Sequence, residues 1–409
     1  MMSVPNSKTC RLAACTVTSA LGAGVAAHLE ALRAGRSGIE RKRWETIDHE
    51  LCIGEVAGLD AYVLRADLAP YDCRNNRLAQ FGLEQDGFAA QVRGAVARHG
   101  ADRIGVFLGT STSGILSSEI AYRQRDPLTG ALPVGYRYRE THNTYSVADF
   151  VRRYFAIEGP ASVVSTACSS SAKVFAAAQR LLHLGLIDAA VVGGVDTLCL
   201  TTLYGFGSLQ LISPNPCKPF DARRDGISAG EGAAFALLER ADSAAAGDIL
   251  LSGAGESSDA HHMSSPHPEG LGARNAMQAA LTMAGLQPRD IDYINLHGTA
   301  TPSNDAAEDA AVVALFGNAT PCSSTKGHTG HTLGAAGGIE AIICALALRE
   351  NFMPGGVGTA QLDPKLGCHY LLTSTSKPLR HVLSNSFGFG GSNCSLVFSR
   401  VDGGTREGA

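Results

Sequence analysis

Short apolar runs alternate along this chain with helical patterns and glycine-rich corners. Ile104 to Leu108 reads as a strand that opens into Gly109-Thr110-Ser111-Thr112-Ser113-Gly114. Ser162 to Thr166 follows Gly159-Pro160, Ala189 to Val192 stops at Gly193-Gly194, and Asp292 to Leu296 follows Pro288 and ends at His297. Strands that are apolar throughout, not at every second position, predict a sheet covered on both faces. After Cys168, the apolar residues Val174, Phe175, Ala178, Leu181 and Leu182 share one helical face, and Gly185 supplies the stop. Ala335 to Leu348 is a long helix interrupted only by Glu340, which predicts that it is buried. Strands alternating with helices predict an α/β protein with mainly parallel strands. The uncharged run Ala13 to Ala27, after Lys8 and Arg11, mimics a secretory signal, but Thr16, Ser19, Gly22 and Gly24 dilute it. A strand, a turn and a helix from about Gly24 to Ala34 are expected there instead.

One pattern occurs twice. Phe107-Leu108-Gly109-Thr110-Ser111-Thr112 resembles Leu296-His297-Gly298-Thr299-Ala300-Thr301, each a strand end running into Gly-Thr-x-Thr. At 409 residues the chain holds two or three domains or one large duplicated unit. If it is duplicated, the halves meet near Ser243-Ala244-Ala245-Ala246-Gly247, which suits a surface connection.

Composition narrows the function classes. Charged residues are 18%, the hydrophobic set is 45% and the formal net charge is −4. Disordered, coiled-coil and bulk nucleic-acid-binding classes are disfavoured. No segment reads as a membrane span, and the cytoplasm is the default location. The 11 cysteines are odd in number and contain no C-x-x-C pair, which fits neither a disulfide scaffold nor a zinc site. A reducing setting with packed thiols is expected.

Among those thiols, Cys168 stands in Val163-Val164-Ser165-Thr166-Ala167-Cys168-Ser169-Ser170-Ser171, where a strand ends and a helix begins. Backbone N–H groups and the helix dipole there are expected to lower its pKa and favour the thiolate. On local context alone it reads as a nucleophile or as a packed cysteine. His297 lies at a strand end, where open α/β sheets build sites. His331 lies in a glycine-bounded loop that begins at Ser324-Thr325-Lys326 and runs into the apolar helix. Lys326 and Glu340 would each be costly if buried alone; paired, they anchor that loop. The triplet His261, His262 and His267 invites a zinc reading, but adjacent histidines rarely share an ion and no thiol is spaced to join them. No metal is expected.

Four corners together resemble the β-ketoacyl-acyl-carrier-protein synthases of the thiolase superfamily, from about Ala13 to Val401. They are Thr-Ala-Cys-Ser-Ser at Cys168, His-Gly-Thr-x-Thr-Pro at His297, Ser-Thr-Lys-x-x-x-Gly-His-x-x-Gly-Ala-Ala-Gly at Lys326 and His331, and Asn-Ser-Phe-Gly-Phe-Gly-Gly-Ser-Asn at Phe389. Asp221 to Gly226 and Ser257 to Met263 also look like family segments. The resemblance implies an α/β thiolase-like fold, a duplicated five-layer αβαβα arrangement. Residues 1–247 would form the half with the nucleophile, and residues 248–409 the half with the catalytic histidine pair. His331 in the second histidine position makes a Cys-His-His set, as in elongating, decarboxylating condensing enzymes.

The implied reaction is a decarboxylating Claisen condensation. Cys168 accepts an acyl group from a carrier thioester. The Cys168 and Phe389 N–H groups form the oxyanion hole. His297 and His331 stabilise the malonyl-derived enolate, and the product is a 3-oxoacyl carrier thioester in fatty-acid or polyketide/aryl-polyene-type synthesis. No cofactor is implied, because substrates arrive on the phosphopantetheine of acyl carrier protein. Phe387 and Phe389 resemble gating phenylalanines. Thr112 falls where relatives control acyl-chain access, although it also reads as a turn cap. Arg74 and Arg77 fall roughly where carrier docks, with Arg137 and Arg139 as further candidates, while Ser208 to Cys217 lacks an arginine some relatives carry. A homodimer is implied, or a heterodimer with a second ketosynthase-like subunit. The rival reading is an accessory or chain-length-type subunit with an unused Cys168.

Overall fold

The computed structural model describes residues 9–242 and 244–402. Lys8 of the signal-like stretch, Ser243 of the expected connection, and residues 1–8 and 403–409 of the two expected halves lie outside the described residues.

The expected strands form, and with strands that were not expected they make two sets of five within the main sheet. The first set is β1 (Cys10–Ser19), β2 (Ile104–Gly109), β3 (Ala161–Val164), β4 (Ala189–Asp196) and β5 (Gly232–Arg240). The second is β6 (Ile249–Ser258), β7 (Tyr293–Asn295), β8 (Pro321–Ser323), β9 (His381–Gly388) and β10 (Ser392–Arg400). The spatial orders are β3-β2-β4-β5-β1 and β8-β7-β9-β10-β6, the same path traced twice. In each set four strands run one way and only the fifth, β5 or β10, is reversed. The sets meet edge to edge where β1 pairs antiparallel with β6, Cys10 opposite Leu251. The Gly-Thr-x-Thr repeat falls at the ends of β2 and β7, which hold equivalent places in the two sets.

Helices fill three layers around these sheets. Helices α1 (Arg74–Leu83), α2 (Phe88–His99) and α3 (Ser146–Phe155) cover the outer face of the first. Helices α4 (Ser170–His183) and α7 (Ala336–Glu350) lie between the sheets, and α5 (Leu271–Ala284) with α6 (Pro302–Phe316) covers the far face of the second. The layering is therefore αβαβα. Every residue of α7 from Ala336 to Leu348 is buried, as its apolar run requires. Its residues join Phe175 and Leu182 of α4 in the central core. Burial on both faces explains why β2 and β4 carry no polar alternation. No helix is long and apolar enough to cross a membrane, among the described residues.

One strand boundary differs from expectation. β4 does not stop at Gly193-Gly194 but runs on to Asp196. A Cβ on Gly193 would meet the Ala234 carbonyl oxygen at 1.9 Å, and one on Gly194 would meet Ser171 Cβ at 2.6 Å. These glycines permit close packing inside the sheet instead of ending it.

Candidate active site

The site is assembled at strand ends from both halves. The first half contributes Cys168 after β3. The second contributes His297 after β7, the Lys326–His331 loop after β8, and Phe387 to Phe389 at the end of β9. Helix α4 begins at Ser170, two residues beyond the cysteine, and Ala167 takes a left-handed φ of 52° to turn the chain into it. His331 Nε2 lies 3.0 Å from Cys168 Sγ. The two imidazole rings stand 5.4 Å apart, and Phe387 packs 5.9 Å from His297. Cys168, His297 and His331 all line one cleft with Phe387 and Phe389.

Lys326 and Glu340 meet as the sequence suggests, at 2.5 Å, although both are buried. The ammonium also donates to the His297 carbonyl oxygen at 2.5 Å and lies 3.3 Å from His297 Nδ1. An ammonium has only donors, so Nδ1 must accept, and the His297 proton sits on Nε2, toward the cleft. Burial and then the Lys326 charge hold both imidazoles well below their ordinary range, with His331 a further cause at His297, so both are neutral at pH 7. Burial raises the Glu340 carboxyl to about 7 against the pull of Lys326.

The thiol does not behave as expected. Burial pushes Cys168 up to about 12, outweighing the Lys326 charge and the Phe389 N–H that favour the thiolate. The helix start favours the thiolate locally, but desolvation, a property of the whole fold, dominates here. Cys168 therefore rests as a thiol, and neutral His331 Nε2 is placed to take its proton.

Two buried carboxylates escaped the sequence reading. Glu308 of α6 accepts from the N–H groups of His297 and Gly298, at 2.8 and 2.7 Å, and from Asn385 Nδ2 at 3.0 Å. Burial raises it to about 7. Asp196, at the end of β4, accepts from Thr110, Ser111, Thr112 and Gly334. For Asp196 the available signal is a single acid in an otherwise apolar strand, the signal that marks Glu340; Glu308 shares its helix with Asp305 and Asp309 and carries no such signal.

Other expected site residues lie elsewhere. Thr112 does not line the cleft: its hydroxyl donates to Asp196 at 2.8 Å and accepts from the Thr197 N–H at 3.1 Å. It caps the turn, because a buried carboxylate nearby needs its donors. Arg74 is not a free docking charge. It is buried and paired with Glu231, Glu55 and Asp60, and so satisfies acids of its own half. Arg77 is partly exposed but held by Asp72 at 2.5 Å. Arg137 and Arg139 are exposed. The rings of His261 and His267 lie 5.2 Å apart, tilted by 59°. The one set of three donor residues close enough to share an ion, among the described residues, is Cys168, His297 and His331.

The profile described as "Beta-ketoacyl synthase, N-terminal domain" matches residues 13–244, more than half the chain, and the profile for the C-terminal domain of that family matches residues 249–359. The chain is a β-ketoacyl synthase family member. Its relatives include the 3-oxoacyl-[acyl-carrier-protein] synthase 2 of Staphylococcus aureus (strain COL), 34% identical over 320 residues, 74% of this chain and 76% of that one. The protein of the same name from Rhizobium meliloti (strain 1021) is 41% identical over 266 residues, 60% of this chain and 62% of that one. Among solved structures, a ketosynthase (ApeO) in complex with its chain length factor (ApeC) from Xenorhabdus doucetiae gives a TM-score of 0.88 at 41% identity, covering 98% of this chain and 100% of that one. The ishigamide ketosynthase/chain length factor gives 0.85 at 26%, covering 96% and 99%. This β-ketoacyl synthase thus has the thiolase-like fold that its strand order traces twice.

Proposed function

We propose that the chain is the condensing subunit of a carrier-protein-dependent synthase in fatty-acid or polyketide/aryl-polyene-type synthesis. The observation that carries this reading is the 3.0 Å contact between Cys168 Sγ and His331 Nε2, beside a His297 whose tautomer Lys326 fixes. An acyl thioester of carrier protein gives its acyl group to Cys168. The thiol proton passes to His331 and leaves on the carrier thiol. With its proton shifted from Nδ1 to Nε2, His331 joins His297 in presenting N–H groups to the carbonyl of a malonyl thioester. Carbon dioxide leaves, and the enolate is held by those donors. Its carbon attacks the acyl-cysteine carbonyl, whose oxyanion the Cys168 and Phe389 N–H groups receive. Collapse frees the cysteine and a 3-oxoacyl carrier thioester two carbons longer. These steps call for no metal and no nicotinamide, because the substrates travel on phosphopantetheine.

A purely accessory, chain-length-type role is the alternative. The retained thiol, in contact with a neutral histidine, favours the condensing role. Two structural relatives pair a ketosynthase with a chain length factor, which supports a heterodimer beside the homodimer reading. Strand β3 is the exposed edge of the first sheet and offers the pairing surface. Arg77, Arg137 and Arg139 are the proposed contacts for an acidic carrier in the cytoplasm. The test is intact-mass detection of an acyl adduct after incubation with acyl carrier thioesters. Wild type should gain the acyl mass and Cys168→Ala should not; an adduct of equal yield on the variant would overturn the assignment.

A further inference from the structure

We propose that Asp196 is a positioning residue for His331, acting across the boundary between the halves. Its carboxylate is fully buried at the end of β4. Oδ1 accepts from Thr110 Oγ1 at 2.6 Å and from the N–H and hydroxyl of Thr112 at 2.9 and 2.8 Å. Oδ2 accepts from Ser111 Oγ at 2.5 Å and from the Gly334 N–H at 2.6 Å. The Ser111 N–H is shared between both oxygens, at 2.9 and 3.0 Å. Every donor but one belongs to the first half. The exception, Gly334, is three residues beyond His331.

The chain between His331 and Gly334 needs such a tie. Leu333 adopts a φ of 51°, a conformation a branched apolar residue avoids. A Cβ on Gly334 would stand 2.7 Å from Asp196 Oδ2 and 2.7 Å from the Ser111 nitrogen, so only glycine lets the backbone approach. The backbone of His331 itself is held by its N–H donating to the Ser228 carbonyl at 2.7 Å and its carbonyl accepting from the Gly230 N–H at 2.9 Å. Asp196 fixes the downstream side. Together they set the direction of the imidazole toward Cys168. Oδ1 serves the first-half turn, and Oδ2 serves the histidine loop.

This inference rests on Cys168 and His331 acting as a pair, but its test needs no carrier substrate. The rate of Cys168 alkylation by iodoacetamide at pH 7, read by peptide mass mapping, reports how well His331 draws the thiol proton. Asp196→Asn puts an amide donor against donors, and it should slow alkylation about 10-fold. On a His331→Ala background the same change should cost nothing further, whereas on a His297→Ala background it should cost its full factor. Ser111→Ala, which removes one bond to Oδ2, should show the same pattern at about 3-fold and decides the matter if the Asp196 variant does not fold. Equal factors on both backgrounds, or an unchanged rate in a folded variant, would overturn the proposal. A wild type that alkylates as expected yet neither acylates nor decarboxylates would sink the carrier-substrate reading alone.

Discussion

The ends of β2 and β7 are the same corner built twice, and only one of them performs chemistry. Each leaves a buried strand through Gly-Thr-x-Thr, and each is held by a buried carboxylate, Asp196 in the first half and Glu308 in the second. The difference that matters for chemistry lies at one of the three positions where the two corners differ. Where the first corner carries Leu108, packed in the outer core of its half, the second carries His297, with Lys326 behind it. A duplicated scaffold therefore supplies two equivalent rigid corners. The first became a brace and the second became an acid–base group. The nucleophile comes from the next corner of the first half, so neither half holds the complete site.

The largest effect should come from erasing that difference. His297→Leu imports the first-half residue at a position of equal geometry. Malonyl-carrier decarboxylation, followed as carbon dioxide release, should fall by about 1,000-fold, while acyl transfer to Cys168 survives in intact-mass assays. Loss of both together would mean the corners are not separable. Glu308→Gln should come next. It weakens the clamp on the His297 and Gly298 N–H groups and should lower decarboxylation by about 10-fold, with the fold retained by circular dichroism.

The acid limb of the pH profile sharpens the contrast further. Glu340 and Glu308 are both raised by burial to about 7, whereas the imidazoles are held well below their ordinary range. As pH falls through 7 the carboxylates gain protons first, and Lys326 loses its anionic partner while the histidines stay neutral. Decarboxylation should therefore decline below about pH 7, and Glu340→Gln should flatten part of that limb; a limb unaltered in the variant would assign it to another group. The smallest effect is expected at the brace. Thr110→Val deletes one bond to Asp196 Oδ1 and should cost about 2 kcal/mol of stability by denaturant titration, with acylation and decarboxylation unchanged.

Much of this is legible in the sequence. Apolar strands predict a sheet covered on both faces, the family resemblance implies the five layers, and the lone acid between Ala335 and Leu348 points to the Lys326–Glu340 pair. The Gly-Thr-x-Thr echo marked the equivalent strands. What escaped was set by contacts between distant segments. Asp196 and Gly334 are 138 residues apart, and nothing local to either names the other. Arg74 looked like a surface charge because the buried Glu231 that claims it lies 157 residues away. The thiol pKa failed for the same reason, since burial is a property of the whole fold.

The division of labour between the halves is tested most directly by carbon dioxide release from malonyl carrier protein in Cys168→Ala. If the second half stabilises the enolate on its own, the variant forms no acyl-enzyme yet still decarboxylates. Loss of carbon dioxide release together with acylation, in a folded variant, would contradict that division.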